Sequence, residues 1–245
     1  MSAPDDEPLV GIRLDQLSTH LATLEDAQRF FFRYGSALRS YLIAILRDRA
    51  AADEVLQELV LALLSRGGAQ NWPGKGRYRD YLKRAARNAA IDYLRKQGRQ
   101  PVAVDLEVRA DPRSTDEAAD RALTSEWQRC VLDRVWRELE VHERQTPGNL
   151  FHTVLRVVAE FPHEESPKQA QIASQRAKRT LTAEAFRKQV SRARRLMADI
   201  ILTEVARSIA APTAEDVEGE LVELGLWNYV AGYLAADWRT RNFGK

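Results

Sequence analysis

The sequence predicts an all-α protein with two small helical domains, an acidic linker between them and a helix-turn-helix motif in the second domain. Three observations support this prediction. Apolar residues recur mostly at spacings of three and four, and few segments alternate as strands do. This periodicity stops between Pro101 and Asp120, where six acids accompany two arginines. A segment that begins at Pro167 contains two short amphipathic stretches, the second strongly basic, as in a helix-turn-helix.

The composition indicates a soluble protein of the cytoplasm without membrane insertion. The chain has 245 residues and a formal charge of +2, and its 44% of hydrophobic residues are enough for ordinary cores. Its one cysteine, Cys130, excludes an internal disulfide and fits a reducing compartment. The first ten residues, MSAPDDEPLV, lack the layout of a signal peptide. The apolar runs are shorter than the ~20 residues that span a bilayer.

The first domain is predicted to contain three helical segments and a loop. Residues 17–46 show the spacing of either one helix or two helices separated by a break near Gly35. Residues 50–64 form an amphipathic pattern, and residues 66–76 (RGGAQNWPGKG) have the glycines and proline of a loop. A third helix follows and is expected to end at Gly98 and Pro101.

This third helix belongs to the first of two strongly basic segments. Residues 75–99 carry nine basic and two acidic residues. Tyrosines and alanines share one helical face, so arginines and lysines are expected on the other. A solvated surface could carry such charges. A role in binding a polyanion is favoured because the basic face lacks the glutamates of ordinary i,i+4 pairs. The preceding loop also offers Asn71, Trp72 and Lys75 to hold unstacked bases, although Trp72 could instead anchor the core.

The second domain is predicted to have four helices. Helical spacing resumes at Leu123, and further helices are expected at 150–161 and from Pro167. Thr182 is expected to cap the fourth, which continues to about Ile209.

This fourth helix carries the second basic segment, because residues 176–195 contain eight basic residues and one acid. Side chains of the kind that contact phosphates and base edges in a major groove should face outward. They are Glu184, Arg187, Lys188, Ser191, Arg192 and Arg195. The turn before this helix lacks the usual glycine, and seven residues separate Ala173 from Leu181.

Patterns typical of enzymes are missing from the sequence. The segment from Gly68 to Lys75 has five residues between its glycines where a phosphate loop needs four, and Gly76 replaces the magnesium-binding hydroxyl. The four histidines lack metal-ligand spacing, and a single cysteine cannot form a zinc site. We therefore predict no catalytic residue, no cofactor and no metal.

Both basic segments belong to one pattern, which resembles the extracytoplasmic-function (ECF) sigma factors of bacterial RNA polymerase. The runs AADEVLQE (51–58) and ARNAAIDYLRK (86–96) resemble their first helical domain. LTAEAFRKQVSRARRLMADII resembles the helix-turn-helix of their second domain, and LTEVARSI with the GLWNY tail is similar to a subgroup with a widened turn and a C-terminal extension. The resemblance covers residues 30–100 well and 122–211 moderately.

The resemblance implies a transcription initiation factor that binds core polymerase and recognises promoters. Residues 1–29 would be an N-terminal extension, 30–100 the domain for polymerase and the −10 element, and 101–121 the linker. Residues 122–211 would read the −35 element, and 212–245 would be a C-terminal extension. The linker would thread toward the RNA-exit path. Partners would be the β′ clamp and β subunit, promoter DNA and, left open, an anti-sigma factor.

The same resemblance assigns roles to individual residues. The β′ clamp would contact Asp53, Glu54, Gln57 and Glu58. The −10 element would contact Asn71, Trp72, Lys75, Arg77, Arg84, Arg87, Asn88, Arg95 and Lys96. The −35 element would contact Glu184, Arg187, Lys188, Ser191, Arg192 and Arg195.

Two other functions and two roles for the tail stay open at this point. The chain could be a helix-turn-helix regulator that acts without polymerase, or a sigma-like protein that binds polymerase without recognising a promoter. A tail helix with Leu221, Leu224, Trp227, Val230 and Leu234 could dock on a domain or recruit an inhibitor. It could equally complete the core of the second domain.

Overall fold

The computed structural model describes residues 24–65, 76–98, 112–146, 148–241 and 243. Its first three helices are α1 (Leu24–Leu46), α2 (Arg49–Ser65) and α3 (Tyr78–Lys96). Four further helices follow: α4 (Pro112–Gln145), α5 (Phe151–Glu160), α6 (Ser166–Ala177) and α7 (Ala183–Ala206). The tail contains α8 (Ala214–Glu223), the single turn α9 (Trp227–Val230) and a 3-10 turn at Trp238–Thr240. The all-α prediction is confirmed, since the described residues contain helices and no strand.

Helix α1 continues through Gly35 without a break, so one helix forms where the sequence left one or two open. The start of α4 differs from the sequence analysis. Helix α4 begins at Pro112, so residues 112–121 of the predicted linker are helical. Proline suits the first turn of a helix because a backbone N–H at that position would have no partner within the helix. Ala119 and Leu123 then continue the inward-facing stripe, and both are buried. Residues 101–111 lie outside the described part of the chain. None of the described helices is long and apolar enough to cross a membrane.

The helices of the two predicted domains pack against each other around one hydrophobic core. Helix α4 lies along α1, and the ring of Tyr34 stacks on that of Trp127 with centroids 3.9 Å apart. Ser36 Oγ and Cys130 Sγ form a hydrogen bond of 3.3 Å across the same contact. Burial raises the pKa of Tyr34 well above its ordinary value. The core continues from these helices into α5, α7 and the tail.

A buried carboxylate joins three of the helices. Glu204 on α7 is 2% exposed and accepts a hydrogen bond of 3.2 Å from Arg33 on α1. It also forms an ion pair with Arg134 on α4 and a longer one, 3.8 Å, with Arg207. A carboxylate that is shielded from water needs such partners, because burying an unpaired charge carries a large free-energy cost. Glu204 therefore links α1, α4 and α7.

The chain segments next to α3 and α7 are also joined through their backbones. The N–H of Tyr78 donates to the carbonyl of Ser208 at 3.0 Å, and the N–H of Ala210 donates to that of Gly76 at 3.1 Å. These two bonds form an isolated antiparallel bridge between Arg77 and Ile209. The start of α3 and the end of α7 are thus held side by side.

Replacing Thr182 by alanine is expected to lower the free energy of unfolding by about 1 kcal/mol. The predicted cap is confirmed, because Thr182 Oγ1 accepts from the N–H of Ala185 at 3.1 Å at the start of α7. Urea unfolding followed by circular dichroism measures the loss. Thr182→Ser keeps the hydroxyl and should behave like the wild type. Equal stability of the alanine and serine variants would contradict the capping role.

Candidate nucleic-acid interface

Helix α3 has one buried face and one basic face, as its spacing predicts. Tyr78, Leu82, Ala86, Ala90 and Leu94 recur every four residues and are buried. The helix ends where Gly98 adopts a φ of +64°, in the left-handed region that glycine enters without strain. Because the buried stripe occupies one side of α3, the opposite side of the helix is available to a partner.

This other side of α3 carries four of the six cations that the sequence analysis assigned to the −10 element. Arg84, Asn88, Arg95 and Lys96 are exposed, and Arg87 is half-buried. Arg95 pairs with Asp92 at 3.5 Å, and Lys96 pairs with Glu58 at 3.6 Å, in each case between largely exposed side chains. Exposed pairs of this kind are weak. A polyanion can therefore compete for these cations.

Arg77 is separated from this exposed face. Its guanidinium lies against helix α8, with Nε 3.2 Å from Glu220 Oε2 and Nη1 paired with Glu223. The side chain is 24% exposed. The prediction that Arg77 contacts DNA thus requires α8 to move. Asn71, Trp72 and Lys75, also predicted to contact DNA, lie outside the described residues.

Arg79 joins the same cluster and was not singled out in the sequence analysis. Its Nε and Nη2 donate to the two oxygens of Glu220 at 2.9 and 3.0 Å, and Nη2 also donates to Glu223 at 2.6 Å. Nη1 reaches Thr124 on α4 at 3.3 Å. Arg79 and Glu220 are both buried, with exposed fractions of 6% and 0%. Helical spacing places Arg79 on the buried side of α3, three residues before Leu82, but its charge gave no reason to expect burial because its partners are far away in sequence.

Burial affects the two carboxyl groups of this cluster in different ways. It raises the pKa of Glu220 above the ordinary value, although the hydrogen bonds and charge of Arg79 act in the opposite direction. Burial also acts to raise the pKa of Glu223, but hydrogen bonds from Arg77 and Arg79 outweigh it. The pKa of Glu223 is therefore lowered. Both carboxyl groups depend on the two arginines for their charge.

The helix-turn-helix is formed by α6, a five-residue connection and α7. Helix α6 extends to Ala177, so the connection is shorter than the seven residues counted from the sequence. Lys178 adopts the left-handed conformation (φ 50°) that a turn glycine would normally supply. Ser174 Oγ then accepts from the N–H of Leu181 at 2.9 Å and holds the incoming chain. These contacts explain how the turn forms without glycine.

Helix α7 exposes all six side chains that the sequence analysis assigned to the −35 element. Phe186, Val190 and Ala193 are buried against the core. Lys188 pairs with Glu184 at 2.6 Å on the exposed side. Within the described residues, the other three cations form no ion pair. The exposed set is Glu184, Arg187, Lys188, Ser191, Arg192 and Arg195.

The four residues predicted to bind polymerase lie on α2. Glu54, Gln57 and Glu58 are exposed and occupy one side of the helix. Asp53 is partly exposed and accepts hydrogen bonds of 2.6 and 2.9 Å from Arg39 on α1. The hydrogen bond from Arg39 lowers the pKa of Asp53. Asp53 therefore also joins α1 to α2, whereas its three neighbours face solvent.

Residues 30–100 match the family model described as Sigma-70 region 2. The matched range contains most of α1 and all of α2 and α3, including the acidic surface of α2 and the basic surface of α3. No curated protein and no solved structure matches the chain significantly. The match supports a relation to the sigma factor family, whose members are initiation factors rather than enzymes. A Sigma-70 region 2 implies, in general, binding to RNA polymerase and to the −10 promoter element.

Proposed function

We propose that this chain is an ECF-type sigma factor that binds core RNA polymerase and directs it to promoters with specific −10 and −35 elements. The observation that carries the proposal is a second exposed basic helix, α7, in the same chain as a Sigma-70 region 2 match. A region 2 alone accounts for one DNA contact. The second basic helix supplies a separate reading surface, as promoter selection at two elements requires.

In this proposal the two surfaces of the first domain have different partners. Glu54, Gln57 and Glu58 bind the β′ clamp, with Asp53 held beside them by Arg39. The exposed cations of α3 contact the −10 element, and residues 71–75, in the segment that the sequence predicts to be a loop, hold an unstacked base. Removing a base from the stack costs a few kcal/mol, which stacking and hydrogen bonding in a pocket can offset. Contacts to about six phosphates would give a log–log salt slope of roughly −5.

Helix α7 reads the −35 element in the major groove. Its arginines can contact guanine edges or phosphates, and Ser191 can contact either. Each surface has few cations, so the free chain should bind DNA weakly. Attachment of both surfaces to polymerase makes the second contact effectively intramolecular and raises the overall affinity. Residues 101–111 and the polymerase would together bridge the two contacts.

Pull-down of core polymerase, followed by transcription from a promoter library, tests the proposal. We expect the purified chain to bind core polymerase and to select a subset of promoters that share two elements. Failure to bind core polymerase would reject it. Protection of a DNA operator by the chain alone would instead favour a regulator that acts without polymerase. Polymerase binding without promoter selection would favour a sigma-like protein that does not recognise promoters.

Glu54→Lys is expected to weaken binding to core polymerase at least tenfold. The exposed carboxylate is one of the predicted clamp contacts, and reversing its charge turns an attraction into a repulsion at the same place. Surface plasmon resonance with immobilised core polymerase measures the loss. Glu117→Lys on α4 makes the same charge change at another exposed position and should bind normally. Equal affinities of the two variants for core polymerase would show that Glu54 lies outside the interface.

A further inference from the structure

Helix α8 of the tail is seated on the start of α3 by a specific and buried contact. Glu220 is completely buried, and the two carboxylates of α8 hold Arg77 and Arg79 together. Gly219 allows this close approach, since a Cβ there would lie 3.2 Å from Nη2 of Arg77. The position of α8 is therefore closely adapted to these two arginines.

The ends of α8 are held by further contacts, so the helix is placed as a unit. Thr213 and Asp216 form a reciprocal capping box at its start. Leu221 and Leu224 are buried in the common core, which α8 reaches by packing on α7. The tail consequently contacts both the first basic helix and the second.

The chemistry of the α8 contact is also that of a phosphate contact. Guanidinium groups bind carboxylates and phosphates through the same parallel N–H donors. Arg77 and Arg79 lie at the beginning of the basic helix α3. If α8 were absent, Arg77 would become exposed at the start of α3, and Arg79 beside it would lose both of its carboxylate partners.

We propose that Arg77 and Arg79 form a phosphate-binding site for promoter DNA and that helix α8 occupies this site as an internal competitor. The proposal rests on the proposed function. DNA and the Glu220–Glu223 pair cannot hold the same guanidinium groups at once. Binding of DNA there releases α8, and the docked α8 weakens DNA binding.

Neutralising the two acids in the full-length chain tests the competition. We expect Glu220→Gln combined with Glu223→Gln to bind a 30-base-pair duplex of mixed sequence about tenfold more tightly at low salt, without polymerase. Two released arginines should also steepen the log–log salt slope by about 2. Fluorescence anisotropy between 50 and 300 mM salt measures both quantities.

A matched control separates competition from a simple change in net charge. Glu215 and Asp237 are exposed tail acids that form no ion pair within the described residues. Glu215→Gln combined with Asp237→Asn removes the same charge and should leave the slope unchanged. Adding Arg77→Ala and Arg79→Ala to the first double variant should abolish its gain. Equal slopes for the two double variants would overturn the proposal.

A second measurement uses the unchanged chain and does not depend on how well a variant folds. By linkage, DNA that displaces α8 must make the amides of residues 214–223 exchange faster. We expect at least a tenfold increase in their hydrogen exchange at saturating duplex, with α5 amides unaffected. Unchanged protection of α8 would overturn the competition. The proposed function would survive that result if the chain still binds core polymerase, so the two failures are distinguishable.

Discussion

Replacing Glu204 by alanine is expected to lower the free energy of unfolding by about 3–5 kcal/mol. The substitution leaves Arg33 and Arg134 partly buried and facing each other without the carboxylate between them. Removing one partner of a buried ion pair commonly costs this much, because the remaining charge has lost its water and its counterion. Urea unfolding at neutral pH, followed by the far-ultraviolet circular dichroism of the helices, measures the loss.

Asp199→Ala is the matched control on the same helix. Asp199 pairs with Arg241 at 3.0 Å, but both side chains are more than one third exposed. Such a surface pair is worth about 0–1 kcal/mol. Losses of similar size in the two variants would show that Glu204 does not link the helices as the structure indicates. Glu204→Gln should give an intermediate loss, since an amide keeps the shape and a hydrogen-bond acceptor.

Changing both Arg187 and Arg192 to alanine is expected to abolish promoter selection while binding to core polymerase stays intact. Both side chains are exposed on α7, and neither has an ion pair to release within the described chain. Each arginine that contacts a base edge is worth about 1–3 kcal/mol, or roughly 5- to 150-fold in affinity. The measurement is a competition between specific and nonspecific promoter fragments for the reconstituted holoenzyme.

Two exposed arginines of α4 provide the control for this double variant. Arg129→Ala combined with Arg137→Ala removes the same charge from another surface and should preserve selection. Initiation at unchanged promoters by the α7 variant would contradict the assignment of the −35 surface. It would favour a sigma-like protein that binds polymerase without reading a promoter.

The sequence predicted the helices closely where the signal is local. The buried stripe of α3 recurs within one helix, and the Thr182 cap depends on an N–H only three residues away. The outward direction of Arg187 and Arg192 follows from the same periodicity. These features depend on neighbours within one or two turns, so a single sequence contains the information for them.

The start of α4 and the turn of the helix-turn-helix were predicted less well. Acidic residues and Pro112 suggested a linker, but burial of Ala119 against the core stabilises a helix there. Lys178 takes a left-handed conformation for which sequence patterns favour glycine, and the Ser174–Leu181 hydrogen bond helps to hold it. Tertiary contacts in both places outweigh weak local preferences.

The sequence by itself determined that this protein is all-α and that α3 and α7 each have a basic face. Only the tertiary structure decided that Arg77 and Arg79 are held by α8 and that Glu204 joins α1, α4 and α7. The physical reason is the sequence separation over which each interaction acts. Helical periodicity acts over three or four residues, whereas an ion pair between Arg79 and Glu220 exists only once packing has brought two distant helices together and excluded water from between them.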